Sequence, residues 1–483
     1  MGAPEPIDAD IVVVGAGAAG LYAALVAADG GSRVAVVSAT PLAQTASYWA
    51  QGGLAAALAV DDSPELHLAD TERAGRGLVR RSAAEVLTGE APEMIADLQR
   101  RRMRFDADRH GNLVLGLEGG HSRRRIVHAG GSATGRRLAR QLSAAIVREE
   151  SVTVLEGARA CRLWIDDGRV VGAVCEDGRA VRAGATVIAT GGAAAMWSRT
   201  SNPPGSAGVG IMLARQAGAP VADLEFVQFH PTALAGVPGR EGVLITEAIR
   251  GEGARLLDLR GERFVDELAP RDEVARAVWE KMLAEDAEAV RLDMRGIDPA
   301  LFPNVVETLE ASGLDPAKEP VPVAPAAHYM MGGIVTDLHG ATAVPGLYAI
   351  GESACTGLHG ANRLASNSLS ECMVFGARAA RAALAEPAAS PRSEPPAPEP
   401  IVMPEPSTRE AVWRYAGIVR DREGLETLME DPHPLARMIA GCALAREESR
   451  GAHLRSDFPE TDPGLDGHHT VIGESDPQMS LWD

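Results

Sequence analysis

IVVVGAGAAG, at residues 11–20, sets the architecture of this chain. Its apolar run at 11–14 predicts a parallel strand covered on both faces, and Gly15, Gly17 and Gly20 follow with the spacing G-x-G-x-x-G. Two of these glycines let the backbone turn and approach a pyrophosphate, and the third lets the next helix pack close to the strand. The helix predicted at 18–28 points its free N–H groups at that anion. The stretch therefore predicts the phosphate-binding turn of a dinucleotide fold, although a strand-to-helix turn without a ligand shares the pattern.

The second predicted strand, at 33–38, lacks the acid that follows it in NAD-binding folds. It ends in Ser38 and continues with Ala39 and Thr40, so no carboxylate is available for a ribose 2′-OH and simple NAD binding is disfavoured. Two more buried strands end in glycine turns, one before Gly191 and one before Glu352. Parallel strands that end in this way converge on one crevice, where doubly wound folds bind ligands. We expect Glu352 to supply the ribose contact that is missing at Ser38.

Composition and charge narrow the class of protein. The 483 residues carry a formal net charge of −19, which argues against nucleic acid or an anionic membrane as the main partner. No apolar stretch is long enough for a membrane span, and the start, MGAPEPIDAD, lacks the features of a signal peptide. The five cysteines form no C-x-x-C and no metal-ligand spacing. We therefore expect a cytoplasmic protein with reduced thiols and no metal.

The order of patterns along the chain predicts an α/β fold with additional domains. Residues 152–183 contain three β-rich runs separated by two Asp-Gly turns, which predicts a meander. The segment from about 224 to 329 is long enough to form an inserted domain, and 386–407 is dense in Pro, Ala and Glu, which predicts an extended or disordered linker. We predict a dinucleotide-binding domain in two parts (1–223 and 330–386), an inserted α+β capping domain (224–329), a Pro-rich linker (387–407) and a C-terminal helical domain (408–483).

A glycine-rich turn places an acid beside concentrated positive charge. In LEGGHSRRRIVH, at 117–128, Glu118 is followed by two glycines and then by three arginines. Such a carboxylate is suited to receive the ammonium group of a substrate. A surface ion-pair patch is equally compatible with the local sequence.

Six motifs, in order, resemble those of the succinate dehydrogenase and fumarate reductase flavoprotein superfamily. They are AQGG with Gln51, EGGHS with Glu118, QFHPT with His230, PRD with Arg271, HYMMGG with His328 and HGANRLASNSLSE with Arg363. Within the superfamily they are most similar to the L-aspartate oxidases, and the similarity spans nearly the whole chain. The resemblance implies a Rossmann-like FAD-binding domain and oxidation of L-aspartate to iminoaspartate, the first step of NAD synthesis from aspartate. It also implies oxygen or fumarate as electron acceptor and quinolinate synthase as a candidate recipient of the imine.

The resemblance assigns roles to residues at the matching positions. It implies that Arg271 and Glu118 are catalytic, and that the substrate is bound by Gln228, His230, Thr246, Glu247, His328 and Arg363. It implies that FAD is bound by Gly15, Ala16, Gly17, Ala18, Ala19, Gly20, Ser38, Ser47, Tyr48, Gln51, Gly52, Gly53, Gly191, Glu352, Ser368 and Leu369.

Two positions favour the oxidase over its relatives. Respiratory members of the superfamily tether the flavin to a histidine five residues before the AQGG glutamine, and Ala46 stands there, so FAD is expected to be noncovalent. Those relatives also lack an acid at the position of Glu118, which in aspartate oxidases is thought to meet the substrate amino group. The main alternative is a soluble fumarate reductase or succinate dehydrogenase flavoprotein subunit. A flavin module that only carries electrons, and an NAD-dependent dehydrogenase, fit the motifs less well.

The chemistry of the named residues agrees with this assignment. A dicarboxylate needs paired donors at each end, which His230, His328 and Arg363 can supply, and Arg binds carboxylates bidentately. Aspartate differs from succinate by an ammonium group, whose burial without a partner would be costly. Arginine is a poor general base at its usual pKa, so proton transfer by Arg271 needs a relay with a neighbour such as Asp272 or Glu247.

Two departures from the superfamily pattern concern the cofactor and the C-terminal region. Val209, in NPPGSAGVG, stands where relatives have an acid beside a flavin-contacting glycine. Relatives have three C-terminal helices, and the residues between Gly424 and His433 leave little room for the middle one.

Overall fold

The computed structural model describes residues 5–483. Its helices are α1 (Ala18–Asp29), α2 (Pro64–Ala74), α3 (Arg81–Arg100), α4 (Thr134–Ile146), α5 (Val209–Gln216), α6 (Ala248–Gly251), α7 (Arg271–Ala284), α8 (Pro303–Glu310), α9 (Asn367–Ala383), α10 (Pro406–Tyr415), α11 (Arg422–Met429) and α12 (Pro434–Ala445). Its strands are β1 (Ile7–Asp8), β2 (Ile11–Val14), β3 (Val34–Ser38), β4 (Leu54–Ala55), β5 (Leu115–Gly116), β6 (Ile126–Val127), β7 (Val152–Glu156), β8 (Ala160–Asp166), β9 (Arg169–Cys175), β10 (Ala180–Arg182), β11 (Ala185–Ile188), β12 (Val221–Ala222), β13 (Val227–Leu234), β14 (Arg255–Leu257), β15 (Val290–Asp293), β16 (Val321–Met330), β17 (Gly333–Val335), β18 (Leu347–Ala349), β19 (Ala354–Cys355), β20 (Val419–Arg420), β21 (Leu454–Arg455), β22 (His468–Ile472) and β23 (Gln478–Leu481).

A parallel five-stranded sheet forms the centre of the first domain. Its order is β18-β11-β2-β3-β7, and every neighbouring pair is parallel. All four residues of β2 are buried, as its continuous apolar run predicts for a strand covered on both faces. Helices α1 and α9 pack against each other over this sheet. The predicted doubly wound α/β architecture is confirmed.

The meander predicted for 152–183 is present beside this sheet. Strands β8, β9 and β10 pair antiparallel, and β1 adds to β10 in parallel. The turns fall at the two Asp-Gly pairs, where Asp167, Gly168 and Gly178 have positive φ. The first residues of the predicted meander form β7, which pairs with β3 at the edge of the parallel sheet and is not part of the meander.

A second folding unit lies between β12 and β17. Strands β13, β16, β15 and β14 form an antiparallel sheet, and α6, α7 and α8 belong to the same stretch of chain. β13 carries the chain into this unit and β16 carries it out, paired side by side. The unit has its own hydrophobic cluster, which includes Leu234, Leu256, Val278 and Val323. This agrees with the α+β insertion expected from the sequence.

The predicted linker is extended and packs on the meander. Asp166 accepts backbone hydrogen bonds from Arg392 (3.1 Å) and Ser393 (3.0 Å), and the Ser393 hydroxyl accepts one from the indole of Trp164 at 3.2 Å. Farther along, Ile401 is buried in the main core. The Pro-rich composition therefore gives an extended segment that is fixed by side-chain contacts.

The C-terminal part differs from a purely helical domain. Helices α10, α11 and α12 are all present, and the short α11 is capped by Asp421, whose carboxylate accepts from the Gly424 N–H at 2.8 Å. The expected lack of room for a middle helix is therefore not observed, since eight residues suffice. After residue 445 the chain forms strands, and β22 pairs antiparallel with β12 of the first domain. Local sequence patterns do not reveal a pairing between segments so far apart in the chain.

Among residues 5–483 the structure contains no helix that is long and apolar enough to cross a membrane.

Candidate active site

The glycine turn after β2 is shaped for a pyrophosphate. Gly15 has φ +114°, and a Cβ there would lie 2.2 Å from the carbonyl oxygen of Ala189. A Cβ at Gly20 would lie 2.0 Å from the carbonyl oxygen of Gly15, so the helix and the turn approach as closely as backbone allows. Helix α1 begins after Gly17, which has no side chain to cap it, and its first turn carries no acid. No carboxylate therefore competes for this N-terminus, and the cradle fits the diphosphate of FAD.

The loop after β3 packs against this turn. The Ser47 hydroxyl accepts a hydrogen bond from the N–H of Ala18 at 3.0 Å, beside Tyr48. The Gln51 amide donates to the carbonyl oxygen of Leu244 at 2.9 Å, which links the loop to the inserted unit. The N–H of Gly53 donates to the Ser366 hydroxyl at 3.1 Å, and a Cβ on Gly52 would lie 3.2 Å from that oxygen. The loop thus lies between the phosphate turn and the start of α9.

Glu352 lies at the far end of the sheet from Ser38. It follows β18, whereas Ser38 ends β3, and β11 and β2 separate the two strands by ~14 Å at ~4.8 Å per strand. Glu352 therefore does not replace an acid after Ser38, and the predicted ribose contact at that place is not supported by the strand order. Burial raises the pKa of Glu352 to about 7, and its carboxyl accepts from the N–H of Met330 at 3.0 Å. It remains a candidate for another polar group of the cofactor.

The other predicted cofactor residues lie after β11, at the glycine turn after β2 and at the start of α9. Gly191 follows β11 with φ +80°, and its carbonyl oxygen accepts from the Ser353 hydroxyl at 3.1 Å. Ala16 and Ala19 are buried at the glycine turn, and Ser368 and Leu369 lie in the first turn of α9. Val209 begins α5 and is buried in the main hydrophobic cluster with Leu435, so α5 starts with an apolar residue.

Two buried arginines share one amide oxygen. The Gln228 Oε1 accepts hydrogen bonds from Arg271 at 3.0 Å and from Arg363 at 3.0 and 3.3 Å. The Gln228 Nε2 donates to the Asn362 side chain at 2.8 Å, which fixes the orientation of the amide. Burial and the charge of Arg271 lower the pKa of Arg363 to about 10. Both guanidinium groups donate to the same uncharged amide oxygen, so their positive charge remains available to an anionic ligand.

A pair of histidines adjoins the arginines. The rings of His230 and His328 lie 5.2 Å apart, with an interplanar angle of 68°. The Nδ1 of His230 accepts from the N–H of Thr232 at 3.3 Å, which leaves the proton on Nε2, available for a ligand. The Nδ1 of His328 lies 2.8 Å from the Ser201 hydroxyl. Burial first, and then nearby positive charge, lower the pKa of both rings well below the usual value, so both are neutral.

A buried carboxylate, Glu247, pairs with Arg271 and also contacts the glycine turn that follows Glu118. The Glu247 Oε2 accepts from Arg271 Nε at 2.5 Å and lies 3.5 Å from Arg250, while Oε1 accepts from the N–H of Gly119 at 2.9 Å. Burial alone would raise the pKa of Glu247, but the charges of Arg271 and Arg250 lower it to about 2. Thr246 precedes it and is also buried. Of the two relay candidates for Arg271, Glu247 makes the contact; Asp272 binds Arg76 instead.

Arg250 is a member of the site that sequence reasoning does not identify. It is fully buried, and its Nε and one terminal nitrogen have no hydrogen-bond partner among the described residues. The sequence signal that could have identified Arg250 is its position three residues after Glu247 in ITEAIRGEG, because residues i and i+3 lie on the same face of a helix.

Glu118 is buried and held by a serine on a distant segment. Its Oε2 accepts from the Ser366 hydroxyl at 2.6 Å. Ser366 has φ +58°, an uncommon backbone conformation for a residue with a side chain. No local sequence pattern indicates this contact, because Ser366 lies 248 residues away. Its hydroxyl also meets Gly53, so it joins the acid to the cofactor loop.

The expected charge environment of Glu118 is corrected by the structure. The arginine run does not surround it: Arg125 is fully buried and pairs with Asp62 at 2.8 Å and Asp70 at 2.7 Å. An ion-pair network of this kind holds the loop and neutralises Arg125. The cations that interact with Glu118 are Arg250 and Arg363, from elsewhere in the fold.

Comparisons with known proteins agree on the family of this site. The model of an FAD binding domain matches residues 10–369, and that of the fumarate reductase flavoprotein C-terminus matches 429–481. The chain is similar to L-aspartate oxidase of Caulobacter vibrioides (46% identity, 94% of each chain covered) and of Streptomyces coelicolor (42% identity, 97% of this chain and 93% of the relative). Among solved structures it is similar to quinol fumarate reductase of E. coli, with a TM-score of 0.89 at 28% identity over 99% of this chain and 97% of the other.

Proposed function

The chain belongs to the L-aspartate oxidase family, and on that premise we propose how its residues bind and oxidise L-aspartate. It is an FAD-dependent enzyme whose reaction converts L-aspartate to iminoaspartate. The observation that carries the proposed site is the pair Arg271 and Arg363 on one oxygen of Gln228, adjoining the two neutral histidines. Guanidinium and imidazole N–H groups that lie close together can bind the two carboxylates of the substrate.

In this proposal the substrate is held at both ends and at its amino group. Arg363, His230 and His328 bind the carboxylates, and Thr246 lines the same wall. Gln228 acts mainly by holding the two arginines at the distance that the ligand requires. Glu118 receives the substrate ammonium, because it is a buried carboxylate whose other oxygen is available beside Ser366. A buried ammonium without such a partner would be strongly disfavoured.

FAD is proposed to lie in the crevice without a covalent bond. Its diphosphate would meet the turn at Gly15, and the loop of Gln51 and Gly53 would lie against the ring. Ala46, at the position that tethers the flavin in respiratory relatives, has no group that could form such a bond. When bound, FAD supplies a ring that accepts a hydride from the substrate Cα.

Proton transfer is assigned to Arg271 with its carboxylate partner. The Arg271 Nε donates to Glu247 at 2.5 Å, so Glu247 is the group through which a proton would move to or from Arg271. Arg250 has nitrogen atoms without partners among the described residues, which leaves donors for water or ligand.

We propose that the domains of the protein have the boundaries that the sequence predicts. Residues 224–329 would form a capping domain that closes over the substrate, with Arg271 on its α7 and Arg363 on the FAD-binding part. Closure excludes water, which would hydrolyse an imine. Oxygen or fumarate would be the final electron acceptor, and quinolinate synthase would receive the product.

The alternative, a fumarate reductase or succinate dehydrogenase flavoprotein subunit, is separated from this proposal by one experiment. Anaerobic protein loaded with FAD is mixed with L-aspartate or with succinate, and the loss of oxidised-flavin absorbance is followed. Bleaching by aspartate but hardly by succinate is expected; bleaching by succinate alone would contradict the assignment. Acid precipitation of the same sample should release the flavin into the supernatant, and flavin that stays with the protein would contradict noncovalent binding.

A further inference from the structure

Arg76 occupies a turn where three parts of the molecule meet. The turn follows α2, and its three carbonyl oxygens are all used: that of Gly75 accepts from Ala361 at 3.1 Å, that of Arg76 from the Arg450 guanidinium at 2.6 Å, and that of Gly77 from Gly467 at 2.9 Å. Arg76 itself has φ +57°. A residue with a side chain keeps this conformation only where its surroundings hold it. The C-terminal residues therefore fix the backbone from which the Arg76 side chain extends.

The side chain of Arg76 crosses to the inserted unit. Its Nε and a terminal nitrogen donate to Asp272 Oδ2 at 3.1 and 2.9 Å, and the terminal nitrogen also reaches Glu273 at 2.6 Å. Asp272 and Glu273 directly follow Arg271, the first residue of α7. The Asp272 side chain is only 7% exposed, and Arg76 is the cation that pairs with it among the described residues. Without this partner a nearly buried carboxylate would lose its compensation.

Hydrogen bonds continue from Asp272 to the substrate-binding arginines. Its Oδ1 accepts from the Asn362 amide at 3.1 Å, and the Asn362 oxygen accepts from Gln228 at 2.8 Å. The Gln228 oxygen in turn receives both Arg271 and Arg363. Arg76 is thus connected to the active site in two ways, through the backbone of α7 and through this chain of amides.

We propose that Arg76 is a positioning residue: its ion pair with Asp272 fixes the N-terminus of α7 on the FAD-binding domain and thereby the guanidinium of Arg271. The proposal rests on the proposed function, since it takes Arg271 as the proton-transfer group. It predicts a change in kcat more than in KM, because the displaced group acts in the chemical step and Arg363 keeps its contacts with Ser368 and Gln228.

The test compares Arg76→Gly with Arg81→Ala in the FAD-loaded enzyme. Glycine adopts a positive φ without strain, so the turn is kept while the side chain is removed. Arg81 is the matched control, because it loses the same charge but pairs, among the described residues, with Glu72 and Glu85 on its own side of the interface. We expect R76G to lower kcat for L-aspartate by about 10- to 100-fold. We expect the amides of residues 271–276 to exchange with deuterium about threefold faster or more, and R81A to change neither quantity.

A second set of variants isolates the ion pair. Arg76→Lys keeps one charge on Asp272 and should recover part of the lost kcat, whereas Asp272→Asn should reproduce the defect. In the double variant R76G/D272N the two effects should be less than additive, since each removes the same interaction.

The outcomes separate this proposal from the proposed function. Unchanged deuterium exchange at 271–276 in R76G overturns the positioning role, and so does faster exchange with unchanged kcat. Fully additive effects in the double variant also overturn it. If the unmodified enzyme does not oxidise aspartate at all, the proposed function fails, while the exchange measurement still reports whether Arg76 fixes α7.

Discussion

Discrimination between an amino acid and a plain dicarboxylate is assigned to Glu118. Replacing it with glutamine keeps the shape and the contact with Ser366 but removes the charge that pairs with the substrate ammonium. We expect Glu118→Gln to lower kcat/KM for L-aspartate by about 10- to 100-fold while that for succinate stays the same or rises. Steady-state kinetics with both substrates measures the ratio.

The control for this variant is Glu85→Gln, because Glu85 is exposed and its ion pair is with Arg81, on the surface of α3. An unchanged ratio of the two kcat/KM values in E118Q would contradict the proposed contact between Glu118 and the substrate amino group. It would favour the succinate dehydrogenase alternative.

Arg363 should affect both substrates alike. Lysine at this position keeps a charge but loses the planar fork that meets Gln228 and a carboxylate together. We expect Arg363→Lys to lower kcat/KM for aspartate and for succinate by a similar factor of ~100, in contrast to E118Q. A loss confined to aspartate would contradict the assignment of Arg363 to a carboxylate.

Among individual residues, the sequence motifs name the proposed substrate-binding groups but not their partners. His230, His328 and Arg363 stand in recognisable motifs, so the motifs alone are enough to name them. The contacts of Glu118 with Ser366, and of Gln228 with both arginines, join residues far apart in the chain or depend on the rotamer of one amide. Such contacts are decided by packing, and a single sequence carries no local signal for them.

At the level of secondary-structure elements, the turn between β2 and α1 makes the strongest demand on residue type. Alanine at Gly15 would require φ near +114° and would place its Cβ 2.2 Å from a backbone oxygen. We expect Gly15→Ala to abolish FAD retention on gel filtration and to destabilise the fold by several times the ~1 kcal/mol of an ordinary glycine change.

The matched control is Gly89→Ala. Gly89 lies inside α3 with open space around its Cα, so alanine there should raise stability by ~0.5–1 kcal/mol through helix propensity. Equal thermal stability and equal flavin content for the two variants would contradict the role of Gly15 as the tight turn.

Elements with a strong local pattern can be predicted, and elements formed by distant pairing cannot. The apolar runs of β2 and β11 and the Asp-Gly turns of the meander lie where the sequence indicates. The sequence analysis expects helices in this region and does not predict β22 and β23, which pair with each other. It also gives no signal for the pairing of β22 with the distant β12, at Val221↔Ile472 and Ala222↔Val471. The ribose contact expected of Glu352 lacks support for a related reason, since strand order is not contained in a local motif.

Across the molecule as a whole, a buried ion network joins the C-terminal residues to the start of the inserted unit. Arg446 pairs with Glu225, which precedes β13, and also with Glu448, which in turn binds Arg450. Arg450 then donates to the carbonyl oxygen of Arg76. Removing one partner of such a network leaves a buried charge without compensation, so residues 446–450 fix the C-terminal part of the chain to the start of the inserted unit and to the turn of Arg76.

Buried histidines make the stability of the entire protein depend on pH. The pKa values of His67, His121, His230, His328, His433 and His453 are all lowered, in each case chiefly by burial, and that of His67 falls to about 3. Below pH ~6.5 these side chains take up protons in the unfolded chain but not in the folded one. Stability therefore falls as the pH falls, by up to ~1.4 kcal/mol per pH unit for each group.

Glu352 opposes this trend. Its pKa is raised to about 7, so between that value and the usual one the folded state binds a proton that the unfolded state does not, and its contribution to stability grows as the pH falls. Burial also raises the pKa values of Glu225 and Asp272, which act in the same direction as Glu352. Because six histidines have lowered pKa values and only these three carboxyl groups have raised ones, we expect the melting temperature in saturating FAD to drop steadily from pH 7 to pH 5. His67→Gln should flatten the slope, since His67 is buried outside the set of substrate residues and its ring nitrogen meets the Asn367 side chain. A melting temperature that is constant or rises toward pH 5 would show that the carboxyl groups, not the buried histidines, control the proton balance of folding.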